Sequence, residues 1–108
     1  MKIEQISVTD LAQLLKKNPG DFVLVDVREA DELKICKITQ SVHVPLGEIL
    51  ENRWNPPAGK RLLMQCRSGK RSQTAAEHLA SKGHTNVANI AGGILDWIAK
   101  VDPTQKPY

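Results

Sequence analysis

A thiol, three cations and a glycine lie within six residues of each other at Cys66-Arg67-Ser68-Gly69-Lys70-Arg71, and Ser72 follows directly. The apolar run Leu62-Leu63-Met64 precedes them, and an Ala-rich helix former starting at Ser72 follows. A cysteine at the carboxyl end of a buried strand, just before a helix, stands where open α/β sheets hold their ligands. The helix N-terminus offers free N–H groups and partial positive charge to an anion. With Arg67, Lys70 and Arg71 alongside, such surroundings lower a thiol from about 8.5 toward or below neutral, so the thiolate rises from roughly 3% to a majority. Cys66 is therefore expected to be an anionic nucleophile in a loop that holds a small anion.

The elements that must position this loop alternate along the chain. Ile3 to Ile6 reads as a short edge strand. Ser7 and Asp10 have capping-box spacing, and Val8, Leu11, Ala12 and Leu15 mark one face of a helix that Asn18-Pro19-Gly20 ends. Phe22 to Val25 is a strand buried on both faces, with Asp26 and Arg28 at its carboxyl end. Glu29 to Lys34 is a polar helical turn, Ser41 to Pro45 a short strand stopped by proline, and Leu46 to Arg53 a brief helix. Trp54 to Gly59 is loop. The central strand spans Arg61 to Gln65, and a helix over 72–82 stops at Gly83. Val87 to Ile90 is a strand, and Gly92-Gly93 leads into a helix whose Ile94, Trp97, Ile98 and Val101 share a face. This alternation predicts an α/β fold, a mostly parallel sheet with helices on both faces. One domain over 1–102 and a flexible C-terminal tail over 103–108 are expected.

The remaining composition narrows the function. A chain of 108 residues forms one small core. Its net charge of +3 and few aromatics offer no nucleic-acid surface. Two cysteines thirty positions apart make no disulfide framework, no spacing suggests a metal site, and no cofactor motif is present. No stretch could span a bilayer, and the start lacks a signal-peptide core. A reducing cytoplasm and a monomeric chain are the expectation.

Other candidates carry two readings. Cys36 is a resolving thiol or a second sulfur carrier or, preferably, a packed hydrophobe beside Ile35 and Ile38. Arg71 lines the anion site or pairs with a carboxylate that holds the loop in shape. Asp26 and Arg28 touch substrate or form a structural ion pair that supports the site. Ser68, Gly69 and Ser72 act through backbone N–H groups, Gly69 because the turn demands positive φ. His43, His78 and His84 are scattered surface or satisfied residues, Trp97 is core, and Trp54 packs its loop or faces a partner.

Four segments together make the chain resemble the rhodanese family, as a stand-alone single domain. Val25-Asp26-Val27-Arg28-Glu29, with Ile38 and Pro45-Leu46, is similar to the family's first signature. Cys66 through Ser72 is similar to its active-site loop, and Gly92-Gly93-Ile94-Leu95-Asp96-Trp97 to its closing motif. Where the family often has Gly-His-Ile, this chain has Cys36-Lys37-Ile38, a variant similar to rhodanese domains fused to enzymes that activate sulfur-carrier proteins. The resemblance implies a five-stranded, largely parallel sheet and sulfurtransferase activity through a cysteine persulfide.

On that reading Cys66 takes the outer sulfur of thiosulfate or a persulfide donor. Loop N–H groups hold the terminal sulfur, and Arg67, Lys70 or Arg71 holds a sulfonate. Cyanide, a thiol or a protein then accepts the sulfur. Two rivals remain: a non-catalytic or sulfur-relay binding module, and a phosphatase or arsenate reductase. The latter resemble Cys-x5-Arg, whereas Cys66 and Arg71 enclose only four residues.

Overall fold

The computed structural model describes residues 2–108. In chain order the elements are β1 (Glu4–Ile6), α1 (Val8–Lys17), β2 (Phe22–Asp26), α2 (Ala30–Leu33), β3 (Val42–His43), α3 (Leu46–Leu50), β4 (Arg61–Gln65), α4 (Lys70–Ser81), β5 (Val87–Ile90) and α5 (Gly93–Lys100). The five strands form one sheet in the order β1-β5-β4-β2-β3. Every ladder is parallel, as expected when helices connect successive strands.

Side-chain alternation divides the interior into two layers. Val25, Leu62, Met64, Cys66 and Val87 face Ile49 of α3 and Ala75, Ala76 and Leu79 of α4. Phe22, Leu24, Leu63, Ala88 and Ile90 face Val8 and Leu11 of α1 and Ile94, Trp97 and Ile98 of α5. Both sheet faces are thus covered. β4 is the middle strand, buried on both sides, and its carboxyl end opens between β2 and β5.

Local chemistry sets the boundaries. The Ser7 hydroxyl accepts the Asp10 N–H at 3.1 Å and starts α1. The edge strand β3 is only two residues long, yet the Val44 N–H donates to Asp26 O at 3.0 Å and the Leu46 N–H to Val27 O at 2.9 Å. Pro45 between them has no N–H to give. α4 starts at Lys70, two residues before the sequence suggests, because Gly69 at φ +105° caps it. The polar, glycine-containing loop before an Ala-rich run from Ser72 is what pointed to a later start.

The segment 103–108, expected as a flexible tail, lies against the body in this structure. Gln105 Nε2 donates to Lys37 O at 2.9 Å, and the Lys37 N–H donates to Gln105 Oε1 at 2.8 Å. The Tyr108 hydroxyl donates to Glu32 at 2.8 Å and accepts from Arg28 Nη1 at 2.9 Å.

Candidate active site

Cys66 immediately follows β4 and is buried among Met64, Ala75 and Ala76. Three donors converge on its sulfur: the Gly69 N–H at 3.1 Å, the Ser72 N–H at 3.4 Å and the Ser72 hydroxyl at 3.3 Å. Burial pushes the thiol up. The Ser72 hydroxyl, then the N–H groups of Ser72, Gly69 and Ser68, stabilise the thiolate by more, and the net displacement is downward.

The loop is held open from outside by its carbonyls. Cys66 O accepts the Ile94 N–H at 2.8 Å and Gln65 Nε2 at 2.7 Å, and Arg67 O accepts the Leu95 N–H at 3.1 Å. Gly69 O accepts the Gln73 N–H at 3.2 Å and Asn89 Nδ2 at 3.2 Å. Among the described residues every peptide is trans, so each N–H points opposite its own peptide's carbonyl. The N–H groups of Arg67, Ser68 and Lys70 are therefore turned away from α5 and β5. The N-terminus of α5 thus spends its own unpaired donors on the loop. Gly93, at φ +57°, permits that approach: a Cβ there would lie 2.5 Å from both Cys66 O and Arg67 O.

Two of the three loop cations also bond residues outside the loop, Arg71 while its charge still acts on Cys66. Arg71 forms a bidentate pair with Glu32, at 2.7 and 2.8 Å. That bond holds the Glu32 carboxyl at about 2, against an ordinary 4.5. Glu32 also accepts the Glu29 N–H at 2.9 Å. Arg67 turns to Tyr108: its Nε donates to Tyr108 O at 2.6 Å, its Nη2 reaches the same oxygen, and its guanidinium lies 5.0 Å from the ring centroid. Lys70 is exposed and, among the described residues, joins no ion pair. The lowering of the thiol is led by the Ser72 hydroxyl and the backbone N–H groups, and the Arg71 cation and the thiolate stabilise each other beside them.

Asp26 and Arg28 form a wholly buried ion pair, Nη2 to Oδ2 at 2.7 Å. Arg28 also donates to Cys36 O at 2.8 Å and to the Tyr108 hydroxyl, so it braces the strand end, the loop after α2 and the tail. Burial disfavours the Arg28 cation, but its bonds to Asp26 and Tyr108 prevail and raise its pKa further. Cys36 is buried in the opposite core layer from Cys66, 3.9 Å from Arg28 Nη1. His43 bonds Arg28 O at 2.7 Å, and His78 bonds Asn52 at 2.9 Å.

Sequence reasoning missed Glu32, Asn89, Gln65 and Tyr108. The Glu29-x-x-Glu32 spacing was the available signal for Glu32. A buried polar residue inside the apolar run Val87 to Ile90 was the signal for Asn89, which is 3% exposed. Nothing in the sequence marks Tyr108. Among the described residues no group of His, Cys, Asp and Glu is placed to hold a metal ion, and no helix is long and apolar enough to cross a membrane.

Comparison with known proteins places these features in context. Residues 7–100 match the rhodanese-like domain family. YtwF of Bacillus subtilis, for which the name proposes sulfurtransferase activity, is 32% identical over 95% of this chain and 98% of its own. The adenylyltransferase and sulfurtransferase MOCS3 of Drosophila yakuba is 34% identical over 97% of this chain, which spans only 24% of that protein. Among solved structures, the single-domain sulfurtransferase RDL2 of Saccharomyces cerevisiae superposes with a TM-score of 0.79 at 27% identity, covering 99% of this chain and 98% of its own.

Proposed function

The chain belongs to the rhodanese-like family, a family with sulfurtransferase members, and from that premise we propose that it carries sulfane sulfur as a persulfide on Cys66. The supporting observation is the convergence of Gly69 N–H, Ser72 N–H and Ser72 Oγ on one buried sulfur. A thiol of lowered pKa ionises more readily and is a better leaving group. The Cys66 thiolate attacks the outer sulfur of thiosulfate or of a persulfide. The donor's S–S bond breaks as the new one forms, and sulfite or a thiolate departs with the electron pair. The N–H groups of Arg67, Ser68 and Lys70, turned away from α5, are oriented to take the terminal sulfur's charge without reorganising. Cyanide, a thiol or a protein cysteine then attacks that terminal sulfur and restores the Cys66 thiolate. The lowered pKa raises the fraction of Cys66 that starts as thiolate, which lessens the demand for a general base.

The phosphatase-like alternative is weaker at this site. A tetrahedral phosphoryl group needs a wider ring and a free guanidinium, and Arg71 is bound at both ends of Glu32. The acceptor, including any protein acceptor suggested by the MOCS3 relatives, belongs to the same proposal.

Thiocyanate formation from a sulfur donor and cyanide tests it. Cys66→Ser is expected to lose all turnover, whereas Cys36→Ser retains it. Turnover surviving in Cys66→Ser places the nucleophile elsewhere and removes the proposal.

A further inference from the structure

The loop's charge is largely committed before any donor arrives. Arg71 is held by Glu32 through two bonds in a half-buried pair, with Glu32 itself 17% exposed. The Arg67 guanidinium is anchored by two of its N–H groups on Tyr108 O and faces the Tyr108 ring. Tyr108 is in turn fixed by its hydroxyl, between Arg28 and Glu32. Arg71, Glu32, Tyr108 and Arg67 thus form one connected network, and Lys70 is the loop cation left to solvent. A guanidinium gives a sulfonate its best grip through a planar fork, which a lone ammonium on a flexible stem does not reproduce.

Thiosulfate asks most of this site. It brings two negative charges toward a thiolate, and sulfite leaves with both: Cys–S⁻ and S–SO₃²⁻ become Cys–S–S⁻ and SO₃²⁻. A hydropersulfide asks much less, since Cys–S⁻ and R–S–SH become Cys–S–S⁻ and R–SH, the proton passing to the leaving thiolate, with one charge conserved throughout. The loop's oriented N–H dipoles suffice for that exchange. Building on the reading of Cys66 as sulfur carrier, we infer that the donor is a thiol persulfide and not a sulfonate, and that Tyr108 and Glu32 set this preference by occupying Arg67 and Arg71.

The test compares kcat/KM for glutathione persulfide and for thiosulfate, with cyanide as the common acceptor, in the full chain and in Tyr108→Ala and Tyr108→Phe. The parent protein should prefer the persulfide by at least about tenfold. Tyr108→Ala keeps the main-chain oxygen but removes the ring and the hydroxyl that seat it against Arg67. The hold on Arg67 loosens, and the thiosulfate KM should fall and narrow the gap about tenfold, the effect of one charge-assisted hydrogen bond becoming available. Tyr108→Phe keeps the ring that faces Arg67 and loses only the hydroxyl anchor, so the gap should narrow less. A merely structural role for Tyr108 would lower both donors together and leave their ratio fixed. That result, or a parent protein that uses thiosulfate as well as the persulfide, overturns the inference while sulfur still loads on Cys66. If neither donor loads Cys66, the persulfide reading itself fails and the inference falls with it.

Discussion

At Cys66 the sulfur's charge is met by an O–H and several N–H groups, so the side chain of Ser72 is where activation can be adjusted without moving the backbone. Ser72→Ala removes the hydroxyl donor at 3.3 Å and keeps the N–H at 3.4 Å. With the thiolate less stabilised, the thiol deprotonates at higher pH. Alkylation by iodoacetamide at pH 7 should slow roughly three- to tenfold, for a net hydrogen bond of about 1 kcal/mol, and recover as pH rises. A pH profile that does not move would remove Ser72 from the activation. Cys66 itself was legible in the sequence because strand, loop and helix are contiguous there. The fates of Arg67 and Arg71 were not, because their partners lie 41 and 39 positions away and become neighbours only in the folded sheet.

Among the elements, the first turn of α5 and the short α2 hold the loop from its two sides. Gly93→Ala adds a Cβ within 2.5 Å of two backbone carbonyls, at a φ that L side chains rarely adopt. Backbone must then shift at the Cys66 loop itself. Sulfur loading should fall by more than about tenfold, with stability lowered by roughly 1–3 kcal/mol; unchanged loading would mean the loop does not depend on α5. On the other side, the Glu32 carboxylate titrates near 2 in the folded chain against 4.5 as its ordinary value. Its depressed pKa stabilises the fold fully above pH 4.5, and that contribution is lost as pH falls toward about 2. The shift corresponds to at most about 3 kcal/mol, and less after solvent screening. Urea midpoints measured across that acid range should fall less steeply for Glu32→Gln than for the parent chain. Parallel curves would deny the linkage. Both Gly-Gly and the Glu-x-x-Glu spacing stood in the sequence, but only the fold reveals that they serve the same loop.

For the molecule as a whole, the alternation of apolar runs and helical stripes made the parallel α/β sheet and the place of Cys66 at its middle strand legible. What it left obscure was the polar framework beneath the site, since a buried charge looks the same in sequence as a solvated one. Arg28 is the clearest case: wholly buried, it joins Asp26, Cys36 O and the Tyr108 hydroxyl. Asp26→Asn leaves that guanidinium without its countercharge and should cost about 3–5 kcal/mol in urea denaturation, a large share of the stability of a small domain. A loss below about 1 kcal/mol would show that Arg28 does not depend on Asp26.

The central claim is a sulfur atom carried on Cys66, and intact mass spectrometry reads it directly. The reduced protein is measured before and after a sulfur donor and again after cyanide. The account predicts one added sulfur, located on the peptide containing Cys66 and discharged by cyanide as thiocyanate. A protein that never gains the atom, or that gains it on Cys36, contradicts it.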